Sequence, residues 1–217
     1  AGELILKDGR SILNATKVLV EKAQEVATGW EPKLRIALES TINQDVFFGV
    51  LNTFLSEHET IEIDLSEAVL NGGWEALEHD RVDLLVGAPG PVPQLKGFRA
   101  VGIEPPELIP VISHLHPQAQ TLRDPKNLES ILPDLRRVVT HDTAMVNVSR
   151  NAGLSSGKRI LYVQTMEQKI HAQLAGLGIG HLPRHKIQAY VDAGTLIQLT
   201  FSQAPTENFM AWKISHK

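Results

Sequence analysis

The 217-residue chain contains no cysteine, few aromatic residues and no strong excess of charge of either sign. Without cysteine it can form no disulfide and no thiolate metal site. Lys and Arg number 21 against 25 Asp and Glu, and this net charge of −4 gives no electrostatic footprint for nucleic acid or an anionic membrane. No apolar run approaches the ~20 residues of a transmembrane helix, and the amino terminus lacks a signal-peptide profile. We therefore expect a cytoplasmic protein with no membrane contact.

What the chain does contain is typical of a globular α/β protein. Hydrophobic residues make up 42% of it and charged residues 21%. Its length allows one large domain or two smaller lobes.

Residues 8–28 predict a long helix that ends at Gly29. Ile12, Leu19 and Val26 recur every seven residues, but the intermediate heptad positions hold Thr and Ala, which bury little. The pattern leaves two interpretations open: an amphipathic helix that lies on its own domain, or a connector that pairs with a second copy.

Strands and helices alternate after this helix. The first set is a strand at 34–38, a helix at 43–57, a strand at 60–68, a turn at Asn71-Gly72-Gly73, a helix at 74–80 and a strand at 82–88. This order implies parallel strands joined by right-handed crossovers. The proline- and glycine-rich stretch 89–97 then separates it from a second set. A strand at 98–103 and the segment 108–117 lie between this stretch and the second set. The second set contains strands at 136–141, 159–164 and 179–183 and helices at 125–132, 165–176 and 184–194, and a last strand follows at 209–215.

Two hydroxyl residues, Ser40 and Thr41, stand where the first strand turns into a helix. Such a residue can cap the helix amino end, which stabilises it by ~1 kcal/mol relative to Ala. One hydroxyl is enough for a cap, so the second could hold a polar group of a small molecule beyond the strand ends. The pattern by itself favours the cap.

Three segments in this order resemble the regulatory domain of LysR-type transcriptional regulators. They are Leu34-Arg35-Ile36 with the following Ser40-Thr41, then Asp83-Leu84-Leu85, and the most specific of them, GLGIGHLP at 176–183. Residues 5–10, ILKDGR, also resemble the opening of the family's linker helix, with Leu6 where the family usually has Thr.

The resemblance implies an α/β fold of the two-lobed periplasmic-binding-protein-like type II kind. Two Rossmann-like lobes would enclose a ligand cleft, with a linker helix in front. The implied division is a linker and dimerisation helix at 1–30, lobe I at 31–104 and 206–217, and lobe II at 105–205. A DNA-binding domain would be expected before Ala1, so we expect this chain to be a fragment without it.

The resemblance also implies which residues line the cleft and what they bind. The expected ligand-binding residues are Ser40, Thr41, Leu70, Asn71, Ala88, Thr140, His141, Gln164 and Thr165. Hydroxyls, amides and an imidazole backed by aliphatic walls suit a small organic effector. A monocarboxylate, a phenol-like aromatic or an uncharged polar molecule would fit. No cofactor, metal ion or catalytic residue is expected.

The resemblance implies a homodimer or homotetramer in which lobes of two subunits pack head to tail. The helices at 43–57 and 165–176 would form the contact, through Phe47/Val50/Phe54 and Ile170/Leu174/Leu177. The other interpretation is that these apolar faces belong to the core. Effector binding would change the angle between the lobes and so re-space the DNA-binding domains of the whole protein.

Particular residues argue against other functions. A solute-binding protein of a transport system shares the fold, but the front helix disfavours it. His114 and His116 lack a third ligand at a spacing typical of zinc sites. Asp142 beside His141 suggests a general base, but no nucleophile motif accompanies the pair, and we expect no enzyme. GLGIG is interpreted as a helix-ending glycine and a tightly packed strand, with Gln173 and Ala175 structural.

Overall fold

The computed structural model describes residues 32–94, 97–146, 159–200 and 206–214, together with Gly2, Gly9, Leu13 and Thr16. Those four isolated residues are helical, and the rest of the helix predicted at 8–28 lies outside the described residues. None of the described helices is both long and apolar enough to cross a membrane.

In the described residues, five strands form the first sheet, in the order β2-β1-β3-β10-β4. Their bounds are β1 (Lys33–Glu39), β2 (Glu62–Ala68), β3 (Leu84–Pro89), β4 (Phe98–Ile103) and β10 (Asn208–Lys213). β1 pairs in parallel with both β2 and β3, and β10 is antiparallel to its neighbours. The parallel crossovers predicted from the element order are therefore confirmed. Helices α1 (Gln44–Glu57) and α2 (Asn71–Glu78) make these crossovers, and we call this group the first lobe.

The core of the first lobe lies between α2 and the sheet. Trp74 and Leu77 of α2 pack with Ala37, Leu85 and Ala211 from three strands, and all five are at most 4% exposed. The Trp74 Nε1–H donates to the Pro89 carbonyl at 2.9 Å, so its polar atom is satisfied as well. The segment Asn71-Gly72-Gly73, predicted as a turn, is instead the first turn of α2. That prediction was wrong because the helix begins on its two glycines, with Trp74 directly after them.

A second group of strands forms the second lobe, around β5 (Leu108–Ser113). β8 (Gly180–Pro183) and β9 (Leu196–Gln198) flank β5, and β6 (Arg137–Thr140) pairs in parallel with β7 (Ile160–Val163). The Val138 N–H donates to the Ile179 carbonyl at 2.9 Å and joins the two pieces. Helices α3 (Pro125–Ile131), α4 (Met166–Leu174) and α5 (Arg184–Asp192) cover the strands. β9, three residues long, was not predicted.

The outer surfaces of the first lobe carry apolar side chains. Within the described residues, no side chain of α1 is fully buried. Phe47 and Phe54 are half-buried, whereas Val46 and Val50 are 63% and 67% exposed. Because Phe47 and Val50 lie at different depths, the single apolar face predicted from Phe47, Val50 and Phe54 divides into an inner and an outer one. The outer face does not belong to the core.

Candidate functional site

The carboxyl ends of β1, β2 and β3 lie side by side at one edge of the first sheet. Glu39 pairs with Ala68, and Leu38 pairs with Val86. The Ser40 N–H continues this pairing by donating to the Ala68 carbonyl at 3.0 Å. The structure thus places the expected first-lobe residues along this edge: Ser40, Thr41, Leu70, Asn71 and Ala88.

The expected second-lobe residues follow two adjacent strands. Thr140 pairs with Val163 at the ends of β6 and β7. The His141 N–H donates to the Val163 carbonyl at 2.9 Å. Thr140 and His141 therefore lie next to Gln164 and Thr165, as expected for residues that share one edge of a parallel sheet.

The amino end of α1 is capped by Asn43. Its Oδ1 accepts hydrogen bonds from the Asp45 N–H at 3.0 Å and the Val46 N–H at 3.5 Å. The interpretation of Ser40 or Thr41 as the cap was therefore wrong: two further residues pass before the helix begins, and the amide side chain takes that role. Neither hydroxyl is therefore needed to cap the amino end of α1.

Glu39 is the residue at this edge that the sequence analysis missed. It is 4% exposed, and its Oε2 accepts the Leu70 N–H at 3.1 Å. The Ser40 hydroxyl lies 3.2 Å from Oε1 and donates to it. Burial raises the pKa of Glu39 from its ordinary 4.5 to about 8; the hydrogen bonds from Ser40 and Leu70 act in the opposite direction, and the charges of Glu67 and Asp142 raise it further. The raised pKa favours the neutral, protonated form of the Glu39 carboxyl.

At the other expected first-lobe positions, the backbone contributes more to the site than the side chain does. Leu70 precedes α2 with φ of +56°, a conformation unusual for a branched residue, and its N–H is held by Glu39. Asn71 is the first residue of α2. Ala88 is fully buried, and its methyl group belongs to the first-lobe core, so only its backbone can reach a ligand.

The second-lobe side chains form a flat aromatic surface beside a capped helix. The His141 ring stacks on Tyr162, with centroids 4.8 Å apart and planes 20° from parallel. Thr165 Oγ1 accepts the Gln168 N–H at 3.1 Å and so caps α4. The Gln164 N–H donates to the Gln168 side chain at 2.9 Å, and the Gln164 side chain itself is exposed. Thr140 is buried, at 6% exposed.

The two lobes contact each other on both sides of Glu39. On one side, residues 142–146, which follow β6, hydrogen-bond to the start of α2. On the other, His185 at the start of α5 lies against the corner after β1. Burial and Lys186 lower the pKa of His185, while Asp45 and the Ile42 backbone carbonyl raise it. Contacts with the second lobe thus flank the edge that carries Glu39 and Ser40, and we call this the enclosed edge.

The groups considered for other chemistry have structural partners. His114 and His116 lie beyond the end of β5, where the His114 ring contacts the Thr195 carbonyl and His116 accepts the Gln118 N–H. Asp142 accepts from the Gly72 N–H, so its carboxylate points towards α2. In the part of the chain that the structure describes, no group of three or more His, Asp or Glu side chains is placed to hold a metal ion.

The GLGIG segment has the structural role that its sequence indicated. Gly176 follows α4 with φ of +75°, a left-handed conformation that favours glycine at a helix end. Gly180 lies so close to its neighbours that an added Cβ would stand 2.7 Å from Gln173 Nε2 and 2.9 Å from the Val138 carbonyl oxygen. A side chain there would force α4 away from the sheet.

Two open cavities lie away from the enclosed edge. One of about 450 Å³ is on the second lobe, between the start of β6 and the end of α4, and includes Arg136, Arg159 and Leu177 in its lining. The other, about 310 Å³, lies on the first lobe and reaches Gly72 and Thr143. The nine expected ligand-binding residues line neither cavity.

The comparison with protein families identifies the chain. A family model described as the LysR substrate binding domain matches residues 27–216. The chain belongs to this family. This LysR-type domain is 29% identical over 197 residues to the HTH-type transcriptional regulator YeeY of Escherichia coli (strain K12), covering 91% of the chain and 63% of YeeY. It is 28% identical over 201 residues to PunR of the same strain, covering 92% of the chain and 64% of PunR.

The chain therefore spans about 63–64% of the length of these relatives. Both are described as HTH-type transcriptional regulators, which disfavours the alternative of a transport solute-binding protein. The chain is an effector-binding domain of the LysR type, as the resemblance implied.

Solved structures confirm the two-lobed α/β fold. A full-length AphB variant superposes with a TM-score of 0.66 at 18% identity, covering 100% of this chain and 73% of AphB. The BenM effector-binding domain with its effector benzoate superposes with a TM-score of 0.60 at 16% identity, covering 85% of this chain and 84% of the BenM chain. The regulatory domain of HypT from Salmonella typhimurium, with bromide bound, superposes with a TM-score of 0.56 at 16% identity, covering 85% of this chain and 87% of the HypT chain.

Proposed function

We propose that this chain is the sensing part of a cytoplasmic LysR-type transcription regulator, and that it performs no catalysis of its own. Its effector would bind at the enclosed edge and change how the lobes sit against each other. The DNA-binding activity would reside elsewhere in the whole protein. Two positions support the proposal: Glu39 and Ser40 lie at the carboxyl ends of parallel strands in the first lobe, and Thr165 and His141, which stacks on Tyr162, follow parallel strands in the second.

The helix amino ends at this edge argue against an anionic effector. The N–H groups at a helix start are where a carboxylate would bind. Here Asn43 supplies the acceptor for α1, Asp142 for α2 and Thr165 for α4. A carboxylate effector would have to compete with these internal acceptors for the N–H groups that they occupy.

The remaining chemistry favours a neutral, planar and polar molecule. A neutral Glu39 acid would offer a proton to an acceptor on the ligand. The Ser40 hydroxyl donates to Glu39 and keeps acceptor capacity, while the Thr41 hydroxyl offers both donor and acceptor capacity. Tyr162, 43% exposed and stacked on His141, offers a flat surface on which an aromatic ring can stack. Of the three ligand classes expected from the sequence, the phenol-like aromatic and the uncharged polar molecule fit this site better than the monocarboxylate.

We also propose that two copies assemble through the outer face of α1. Val46, Phe48 and Val50 of that helix are each at least 47% exposed. The partner surface would lie beside α4, whose Ile170 and Leu174 pack against the second-lobe core, at Leu177, which is three residues beyond the helix and 45% exposed. Burying such apolar side chains against a second copy contributes ~25 cal/mol per Å² of surface removed from water.

A thermal-shift screen tests the sensing proposal. Neutral heteroaromatic amides and phenols are compared with benzoate-like and aliphatic carboxylates, and a ligand at ~100 times its dissociation constant adds ~2.7 kcal/mol of stability. We expect the neutral aromatics to raise the melting temperature, and Thr41→Ala and Gln164→Ala to abolish that rise.

The control is Ser130→Ala, which removes a hydroxyl bonded to the Asn127 carbonyl on the far side of the second lobe. Since Asn43 caps α1, Thr41→Ala should leave the melting temperature of the empty protein unchanged. A ligand whose effect survives both cleft substitutions would place the effector site elsewhere.

A further inference from the structure

The segment 142–146 belongs to the second lobe in sequence but bonds to the first lobe in space. The Thr143 N–H donates to the Val69 carbonyl at 3.2 Å. Thr143 Oγ1 accepts the Val69 N–H at 3.0 Å and lies 3.3 Å from the Val69 carbonyl oxygen. Thr143 thus bonds to both backbone groups of Val69, through its own N–H and its side-chain hydroxyl.

Asp142 places a carboxylate at the amino end of α2. Its Oδ1 accepts the Gly72 N–H at 3.0 Å and also the Ala144 N–H at 2.9 Å, which fixes its own loop. The N–H groups of the first helical turn have no partner within the helix, and the helix dipole makes that end positive. Asp142 therefore fills the position that the carboxylate of a ligand would otherwise take.

Glu75 anchors the far end of the same segment. Its side chain is 1% exposed, and its carboxylate accepts the Met145 N–H at 3.0 Å and the Val146 N–H at 2.9 Å. Arg81 Nη2 donates to the same carboxylate at 2.7 Å. A buried acid held by two backbone amides of the other lobe and by an arginine costs stability if any of them is withdrawn.

Gly72 makes this contact possible. A Cβ at that position would overlap Thr143 Oγ1 and crowd the Thr143 backbone. The glycine lies in the first turn of α2, where alanine would otherwise favour the helix by ~1 kcal/mol. The close approach of the second lobe offers a reason for glycine here.

We propose that residues 142–146 form an interlobe lock, in which Asp142 occupies the anion-binding end of α2 and thereby excludes carboxylate ligands from it. The lock holds the lobes together without an effector, so opening the cleft requires the release of these bonds. This inference deepens the proposed sensing function and rests on it for its biological meaning. The bonds themselves are tested without any effector.

The decisive experiment is amide hydrogen exchange on the empty chain, with the Asp142→Ala and Asp124→Ala variants. Asp124 is the matched control, because its carboxylate accepts the Lys126 N–H at 3.0 Å and caps α3 within the second lobe. Removing such a cap costs ~1 kcal/mol, so exchange should quicken about fivefold at the affected amides. We expect Asp142→Ala to quicken exchange at Val69, Gly72, Met145 and Val146, and Asp124→Ala to leave all four unchanged.

Sodium acetate is the probe for the vacated position. The cavity of about 310 Å³ that reaches Gly72 and Thr143 gives a small anion access. We expect acetate, compared with chloride at equal ionic strength, to slow exchange of the Gly72 amide in Asp142→Ala and to have no effect in the unsubstituted chain. An equal effect of acetate on both proteins, or unchanged exchange in Asp142→Ala, would overturn the proposal.

The Gly72→Ala variant tests the lock in a second way, because it changes no charged residue. Its Cβ displaces Thr143, while the added helix propensity of alanine keeps α2 formed. We expect faster exchange at Met145 and Val146 with unchanged far-UV circular dichroism. Full protection of these amides in Gly72→Ala would overturn the lock. A failed effector screen on the unsubstituted chain would count against the sensing proposal and leave these results standing.

Discussion

Arg35 and Asp83 form a two-bond ion pair that joins β1 to the residue before β3. Arg35 Nε donates to Asp83 Oδ2 at 3.0 Å, and Nη2 donates to Oδ1 at 2.5 Å. The backbones pair as well, since the Asp83 N–H donates to the Arg35 carbonyl at 2.8 Å. These are the polar residues of the Leu34-Arg35-Ile36 and Asp83-Leu84-Leu85 segments that carried the family resemblance. The two segments are thus linked to each other through the contact between Arg35 and Asp83.

This pair predicts a stability effect without a binding effect. We expect Asp83→Asn to lower the free energy of unfolding by about 1 kcal/mol, because a two-bond arginine contact is lost but both side chains are partly exposed, 38% and 27%. Urea unfolding measures the change. The control is Glu62→Gln, which weakens the exposed Lys33 pair and should have no measurable effect. Equal losses for both variants would mean that the Arg35 geometry adds nothing.

Glu39 predicts a pH dependence of stability. Its pKa is raised to about 8 in the folded chain, so the folded state keeps its proton while the unfolded state loses it near 4.5. Its stabilising contribution is fully present below pH 4.5 and is lost as the pH rises towards 8. The slope is ~1.4 kcal/mol per pH unit. Glu39→Gln should remove this slope and be more stable than the unsubstituted chain at pH 8.

The comparison is made by chemical unfolding from pH 5 to pH 9. Glutamine keeps an acceptor for the Leu70 N–H, so the variant is expected to fold. Glu57→Gln, at an exposed position at the end of α1, is the control and should keep the slope. Parallel curves for the unsubstituted chain and Glu39→Gln would show that Glu39 ionises normally.

Lys169 predicts a gain of stability on substitution. It lies in α4, is 7% exposed, and burial lowers the pKa of its amine from 10.5 to about 8. A base with a depressed pKa destabilises the fold below that pKa, and the cost disappears as the pH rises from about 8 to 10.5. Lys169→Met should therefore raise the melting temperature at pH 7, by an amount that shrinks towards pH 10.

Its control is Lys126→Met at an exposed position of α3, for which we expect no change. The neighbouring Gln173 is fully buried, and neither of its side-chain amide atoms has a hydrogen-bond partner among the described residues. It therefore makes no hydrogen bond that would offset the burial of the Lys169 amine. If Lys169→Met lowers stability at pH 7, the amine makes a favourable contact that outweighs its burial.

The parts of the fold that follow from local pattern were predictable. The apolar runs at 34–38 and 82–88 predicted two neighbouring strands of a parallel sheet, because such strands appear in sequence as short continuous apolar runs. The alternation of strands with helices gave their parallel order. The family motifs predicted the two-lobed fold.

The parts that depend on distant residues were not predictable. Asn43 rather than Ser40 caps α1 because the corner is two residues longer than the local pattern required. The role of Asp142 needs the second lobe to approach α2, and no spacing within the sequence encodes a contact across 70 positions. The sequence did contain a signal for the role of Glu39, because an acid directly after an apolar run must be either exposed or neutralised.

The outer face of α1 predicts self-association that a single charge can prevent. Val46 and Val50 lie four residues apart, so they share one face of the helix, and both are more than 60% exposed. We expect light scattering on size-exclusion fractions to return a dimer or tetramer at micromolar concentration. Val50→Glu should shift it to monomer, because a carboxylate in an apolar interface must be desolvated. Asn52→Glu, at an exposed polar position of the same helix, is the control and should keep the assembly. A monomeric unsubstituted chain would contradict the proposed contact, whereas an assembly that persists in Val50→Glu would place the interface on another face.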